Sequence, residues 1–151
     1  MNLYLDASAL VKRYIAETGS EQITTLIAKS ELVGMAIISR AEIAATFAKV
    51  ARMRLIERHA ALASLQDFRN DWQYWIRIQL TESLVARADM LAWEYDLRGY
   101  DAVHLAAALV WQEALGESVT FATFDAALWR AAEQEGLIPF PVDLSTRKAQ
   151  K

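Results

Sequence analysis

The chain has 151 residues, 54% of them hydrophobic and 23% charged, with five glycines, two prolines, no cysteine and a formal net charge of −3. That length supports one domain with a full core, and the composition excludes disordered, collagen-like and low-complexity classes. The absence of cysteine excludes a disulfide framework, a thiol nucleophile, an iron–sulfur cluster and a thiolate zinc site, and fits a reducing cytoplasm.

The N-terminus, Met1 to Asp6, has no basic region and an acid at position 6, so it does not read as a signal peptide. Leu3-Tyr4-Leu5 predicts a short strand that stops at Asp6, and Ala9, Leu10 and Tyr14 predict a helix after it. Val33 to Ile38 predicts a second strand, ended by Ser39. Ile43, Ala44, Phe47, Val50 and Ala51 recur with the period of a surface helix. Another helix follows Glu57, with Leu62, Leu65, Phe68, Trp72 and Trp75 on one face. Ile76-Arg77-Ile78-Gln79-Leu80 alternates like a half-buried or edge strand, and Leu84, Ala88, Leu91, Ala92 and Tyr95 mark a helix.

From Asp101 through Trp111 the chain is apolar nearly all round, His104 excepted, which predicts a helix buried on several sides. Its longest apolar run, Leu105 to Trp111, is 7 residues, far short of the ~20 that span a bilayer. Val119 to Thr123 predicts the fourth strand, with a helix from Asp125 to about Glu135 behind it. Phe140-Pro141-Val142 predicts a fifth strand that Pro139 and Pro141 confine to an edge. Alternating strands and helices mean an α/β sandwich around a mostly parallel sheet, whose working crevice lies beyond the carboxyl ends of the strands. Residues 1–142 form the expected domain and 143–151 a short basic tail.

Acids stand where that crevice would be: Asp6 after strand one, Glu42 in the first turn after strand two, Asp101 opening the buried helix, and Asp125 after strand four. Each has a structural reading of its own. Ser39-Arg40-Ala41-Glu42 has the form of a capping box, and Asp6, Asp101 and Asp125 have the form of N-caps. Together they read differently. Carboxylates at close range repel one another unless they are protonated or meet a cation. A hard Mg²⁺ or Mn²⁺ ion suits an all-oxygen shell and supports phosphodiester hydrolysis.

At these residues the sequence resembles the PIN-domain ribonucleases, and most of all the VapC toxins of toxin–antitoxin pairs. The resemblance rests on Leu5-Asp6-Ala7-Ser8-Ala9-Leu10-Val11-Lys12, Ser39-Arg40-Ala41-Glu42, Arg98-Gly99-Tyr100-Asp101-Ala102-Val103-His104-Leu105-Ala106 and Ala122-Thr123-Phe124-Asp125. It covers essentially the whole chain, and Tyr100 to Ala106 is its most specific block. It implies a three-layer sandwich with strand order 3-2-1-4-5, a Mg²⁺- or Mn²⁺-dependent endoribonuclease, a cognate VapB-like antitoxin that occludes the site, and a homodimer. It also implies Asp6, Glu42 and Asp101 as core catalytic and metal-binding acids, with Asp125 as the fourth. Ser8 and Thr123 match hydroxyl positions that hold a metal water or orient a carboxylate. Family members often carry a further acid a few residues past the fourth; here Ala126, Ala127 and Leu128 follow Asp125, so the number of metals stays open.

Other residues carry competing readings. His104 is expected in packing or support, because a di-iron ligand set needs a second such motif and the only other histidine is His59. Lys49, Arg52, Arg54 and Arg58 suit an RNA path or a solvated helix end alike. Phe68, Trp72, Tyr74 and Trp75 are read as a partner surface. A phospho-receiver is excluded by the lack of paired acids at Asp6 and of any lysine between Lys49 and Lys148. The remaining alternative is a catalytically silent PIN domain that binds protein or RNA; a lost core acid would mark it, and none is lost.

Overall fold

Leu3, Tyr4 and Leu5 are fully buried because the strand that holds them, β1 (Asn2–Leu5), lies in the middle of the sheet. In the computed structural model, which describes residues 1–144, β1 is flanked by β2 (Leu32–Ala36) and β4 (Val119–Ala122). The short strands β3 (Ile76–Ile78) and β5 (Ile138–Phe140) form the edges. All pairings are parallel and the order is β3-β2-β1-β4-β5.

Parallel strands need crossovers, and among the described residues seven α-helices flank the sheet. They are α1 (Ala7–Leu10), α2 (Ser20–Lys29), α3 (Ser39–Arg52), α4 (Arg58–Asp71), α5 (Glu82–Tyr95), α6 (Gly99–Leu115) and α7 (Ala126–Gln134). Strand alternation sorts the core into two layers. Tyr4 and Phe121 face α5, α6 and α7, packing with Leu91, Leu105 and Leu128. Leu3, Leu5 and Met35 face the other way, toward Leu10, Ile23, Ile43, Phe47 and Phe68 of the first four helices. The result is the expected α/β/α sandwich. Helix α6 comes close to the sheet because its middle is Ala106-Ala107-Ala108, all fully buried. Gly34 of β2 completes the fit, since a Cβ there would meet the Trp111 ring at 3.0 Å.

Helix α2 is not among the predicted elements, although Ile23, Leu26 and Ile27 recur at helical spacing. Ile23 is its one buried residue, and Leu26 and Ile27 are partly buried against the same core layer. The fifth strand lies two residues earlier than expected, at Ile138–Phe140, with Pro139 inside it. The aromatic cluster is corrected in part. Phe68 and Trp72 are core, at 0% and 6% exposure, whereas Tyr74 is 79% exposed. Of the expected basic tail, residues 145–151 lie outside the described residues. Among the described residues no helix is long and apolar enough to cross a membrane.

Candidate active site

Where β1 ends, Asp6 turns the chain into α1 and is itself 3% exposed. Its Oδ1 accepts from the Ala9 backbone N–H at 2.9 Å and from Ser8 Oγ at 2.7 Å. Its Oδ2 accepts from Thr123 Oγ1 at 2.5 Å. The two hydroxyls also receive backbone N–H groups from the end of β4, Phe124 on Ser8 Oγ at 3.0 Å and Asp125 on Thr123 Oγ1 at 3.1 Å. The carboxyl ends of β1 and β4 are thus tied through one carboxylate. Burial raises the Asp6 pKa above its ordinary 3.8, against the opposing pull of His104, Thr123, Ser8 and Ala9.

Glu42 reaches the site from the first turn of α3 and is held from across the sheet. His104 of α6, fully buried, places Nε2 at 2.7 Å from Glu42 Oε1 and Nδ1 at 2.8 Å from Tyr4 Oη. That phenol accepts the Ala36 backbone N–H at 3.0 Å, and the network assigns the Nε2 proton to the bond with Glu42. A chain of hydrogen bonds therefore runs from β2 through Tyr4 and His104 to the carboxylate. Burial alone would lower the His104 pKa. The hydrogen bond and charge of Glu42, with Asp6 and Asp101 behind it, leave the value above its ordinary 6.5. Burial likewise holds the Tyr4 phenol well above its ordinary value.

This arrangement corrects the capping-box reading. The residue before α3 is Ile38, in helical conformation and without a side-chain cap. Glu42 is committed to His104, and the buried Ser39 hydroxyl has no hydrogen-bond partner. The N-cap reading of Asp101 is corrected as well: α6 begins at Gly99 and Arg98 takes the cap position. Asp101 instead accepts from Arg98 Nε at 2.8 Å, and the same guanidinium lies 3.6 Å from Asp125 Oδ2. Asp6 and Asp125 do cap, Asp125 through the Leu128 N–H at 2.9 Å, and still face the site.

All four acids line one cavity of about 230 Å³, together with Ser8, Arg98, Tyr100 and His104. Thr123 stands behind Asp6. Within this cavity, among the described residues, no three carboxylates or imidazoles converge on one point as ligands of an ion. The oxygens of Asp6 are engaged by Ala9, Ser8 and Thr123, and Arg98 lies across Asp101 and Asp125. Hard oxygen donors beside open space fit a Mg²⁺ or Mn²⁺ ion that keeps several waters and takes one or two carboxylates directly. They do not fit a softer ion or a cage of side chains.

Lys49 and Arg52 lie in the last turn of α3, Arg54 lies two residues beyond it and Arg58 begins α4; Arg52 is ten residues beyond Glu42, about 15 Å along the helix. None of them enters the acidic cavity. Arg58 instead lines an apolar groove between α3 and α4 with Phe47, Leu62 and Leu65. Sequence reasoning passed over Arg98, Tyr100 and Tyr4. Arg98 and Tyr100 carried a signal, both standing in the block that bears the family resemblance, and Arg98 is a base three residues before Asp101 and hence one helical turn away.

The PIN domain family profile matches residues 3–134. Ribonuclease VapC45 of Mycobacterium tuberculosis (strain CDC 1551 / Oshkosh) and ribonuclease VapC49 of Mycobacterium tuberculosis (strain ATCC 25618 / H37Rv) are each 31% identical over 143 residues, 94% of this chain and 96% of theirs. Among solved structures, PAE2754 from Pyrobaculum aerophilum superposes with a TM-score of 0.65 at 20% identity, over 100% of this chain and 98% of that one. VapBC2 from Rickettsia felis, bound to a DNA fragment from their promoter, gives 0.61 at 14% identity, over 92% of this chain and 97% of that one. These two share the fold. With the profile and the 31% identity both running along most of its length, the chain belongs to the PIN-domain family, alongside the VapC ribonucleases.

Proposed function

We propose that the protein is a metal-dependent endoribonuclease that hydrolyses RNA phosphodiester bonds, and the toxin of a type II toxin–antitoxin pair. The observation that carries this reading is the meeting of Asp6, Glu42, Asp101 and Asp125 in one cavity at the carboxyl ends of β1 and β4. Mg²⁺ or Mn²⁺ would be held by these acids, directly or through water. When bound it lowers the pKa of a coordinated water and offsets charge on a phosphodiester oxygen. The protein's own residues fix the donors. Ser8 and Thr123 orient Asp6, and Tyr4 and His104 hold Glu42. A silent binding domain is disfavoured because none of the four acids is missing.

A VapB-like antitoxin, a homodimer and a cytoplasmic site of action complete the reading. The likeness to the VapC ribonucleases supports the first of these. Structured RNA incubated with purified protein tests the activity: cleavage with Mg²⁺ or Mn²⁺, none in EDTA, and none by Asp101→Asn. An ion at a hundredfold excess over Kd also stabilises the native state by about 2.7 kcal/mol, so a melting temperature indifferent to Mn²⁺ counts against the site.

A further inference from the structure

We infer that Arg98 alternates between two anionic partners: the carboxylates of Asp101 and Asp125 in the ion-free protein, and a phosphate of the RNA once a divalent ion has taken those carboxylates. The inference rests on the proposed metal-dependent nuclease. Arg98 precedes α6 at the rim of the acidic cavity. Its Nε lies 2.8 Å from Asp101 Oδ2 and a terminal nitrogen lies 3.6 Å from Asp125 Oδ2. The exposures of the partners differ sharply. The Arg98 side chain is 76% exposed, against 14% for Asp101 and 34% for Asp125. The acids are the more enclosed partners, and Asp125 is also tied to the Leu128 N–H, whereas the guanidinium reaches in from solvent.

A cation across two carboxylates relieves their repulsion when no ion is present, and the same contact competes with an incoming ion for the same oxygens. Once displaced, Arg98 is an unpaired cation at the mouth of the site. Its planar fork of donors matches phosphate as well as carboxylate, and any RNA strand entering the cavity brings phosphates past that rim. Departure costs little, since an ion pair whose cation is this exposed contributes little to stability.

Titration calorimetry with Mn²⁺, melting curves with and without Mn²⁺, and steady-state cleavage of a single-stranded RNA test the inference on Arg98→Gln and Arg98→Lys. Removing one opposing charge a few ångströms from the ion should tighten Mn²⁺ binding about five- to tenfold in Arg98→Gln. The ion-induced rise in melting temperature should grow as well. At saturating Mn²⁺, KM for RNA should rise about tenfold for a lost charged hydrogen bond, with kcat within about twofold. Arg98→Lys keeps the charge without the fork, so its Mn²⁺ affinity should stay near wild type while KM remains raised. Unchanged or weaker Mn²⁺ binding by Arg98→Gln would overturn the inference, because a purely structural arginine does not suppress ion affinity. Tighter Mn²⁺ binding with unchanged KM would overturn the phosphate half and uphold the competition. Wild-type protein that binds no Mn²⁺ and cleaves no RNA would overturn the nuclease reading itself, a result distinct from unchanged variants in an active, ion-binding wild type.

Discussion

Asp6 caps α1 and faces the acidic cavity with the same carboxylate, so one substitution separates the two roles. Asn caps a helix about as well as Asp but carries no charge. Because burial raises the Asp6 pKa above 3.8, the folded state holds this proton more tightly than the unfolded chain. The cost of the buried charge is absent below pH 3.8 and fully present above the folded-state pKa, so Asp6 lowers ion-free stability as pH rises through that window. Asp6→Asn should therefore melt above wild type at neutral pH without metal, lose that advantage in acid, and cleave no RNA; calorimetry at the two pH values checks the first two. A second test concerns Tyr4. Tyr4→Phe strips the buried Ala36 N–H of its acceptor and His104 Nδ1 of its partner, which should cost about 1–3 kcal/mol in urea denaturation. RNA cleavage should fall with it, as Glu42 loses its brace. The four acids were legible as candidates because each follows a strand or opens a helix. The brace was not legible, since Glu42 and His104 are 62 residues apart and Ser39-x-x-Glu42 imitates a local motif.

At the level of elements, α3 enters without the cap its sequence advertises. Ser39 is fully buried and its hydroxyl has no partner, whereas a true N-cap serine replaced by alanine costs about 1 kcal/mol. Ser39→Ala should be neutral or slightly stabilising in chemical denaturation, because it removes a buried group that gains nothing from its hydroxyl. The contact between β2 and α6 predicts the opposite sign. A methyl at Gly34 would meet the Trp111 ring at 3.0 Å, and that ring is only 6% exposed. Gly34→Ala should therefore destabilise by about 1–3 kcal/mol through overpacking, and an unchanged denaturation midpoint would show that the indole yields. Apolar periodicity exposed most helices because each buries one stripe. Helix α2 keeps the same period in Ile23, Leu26 and Ile27 and went unpredicted all the same.

For the whole molecule, the alternation of strands and helices made the α/β class readable, whereas the strand order came only through the family resemblance. Charge was the poorer guide. The basic run from Lys49 to Arg58 lies toward the far end of α3 from the acids, and a cation beside them is Arg98, one helical turn before Asp101. The sheet's margins decide something further. Phe140 turns its carbonyl inward to the Thr123 N–H at 3.0 Å, so the alternating residue Pro139 turns its backbone outward, where it has no N–H to offer. The opposite margin, β3, is three residues long. Both rims are thus poor templates for an added strand, so edge-to-edge growth of the sheet is disfavoured and the strand ends, with the acids beyond them, stay out of any such seam.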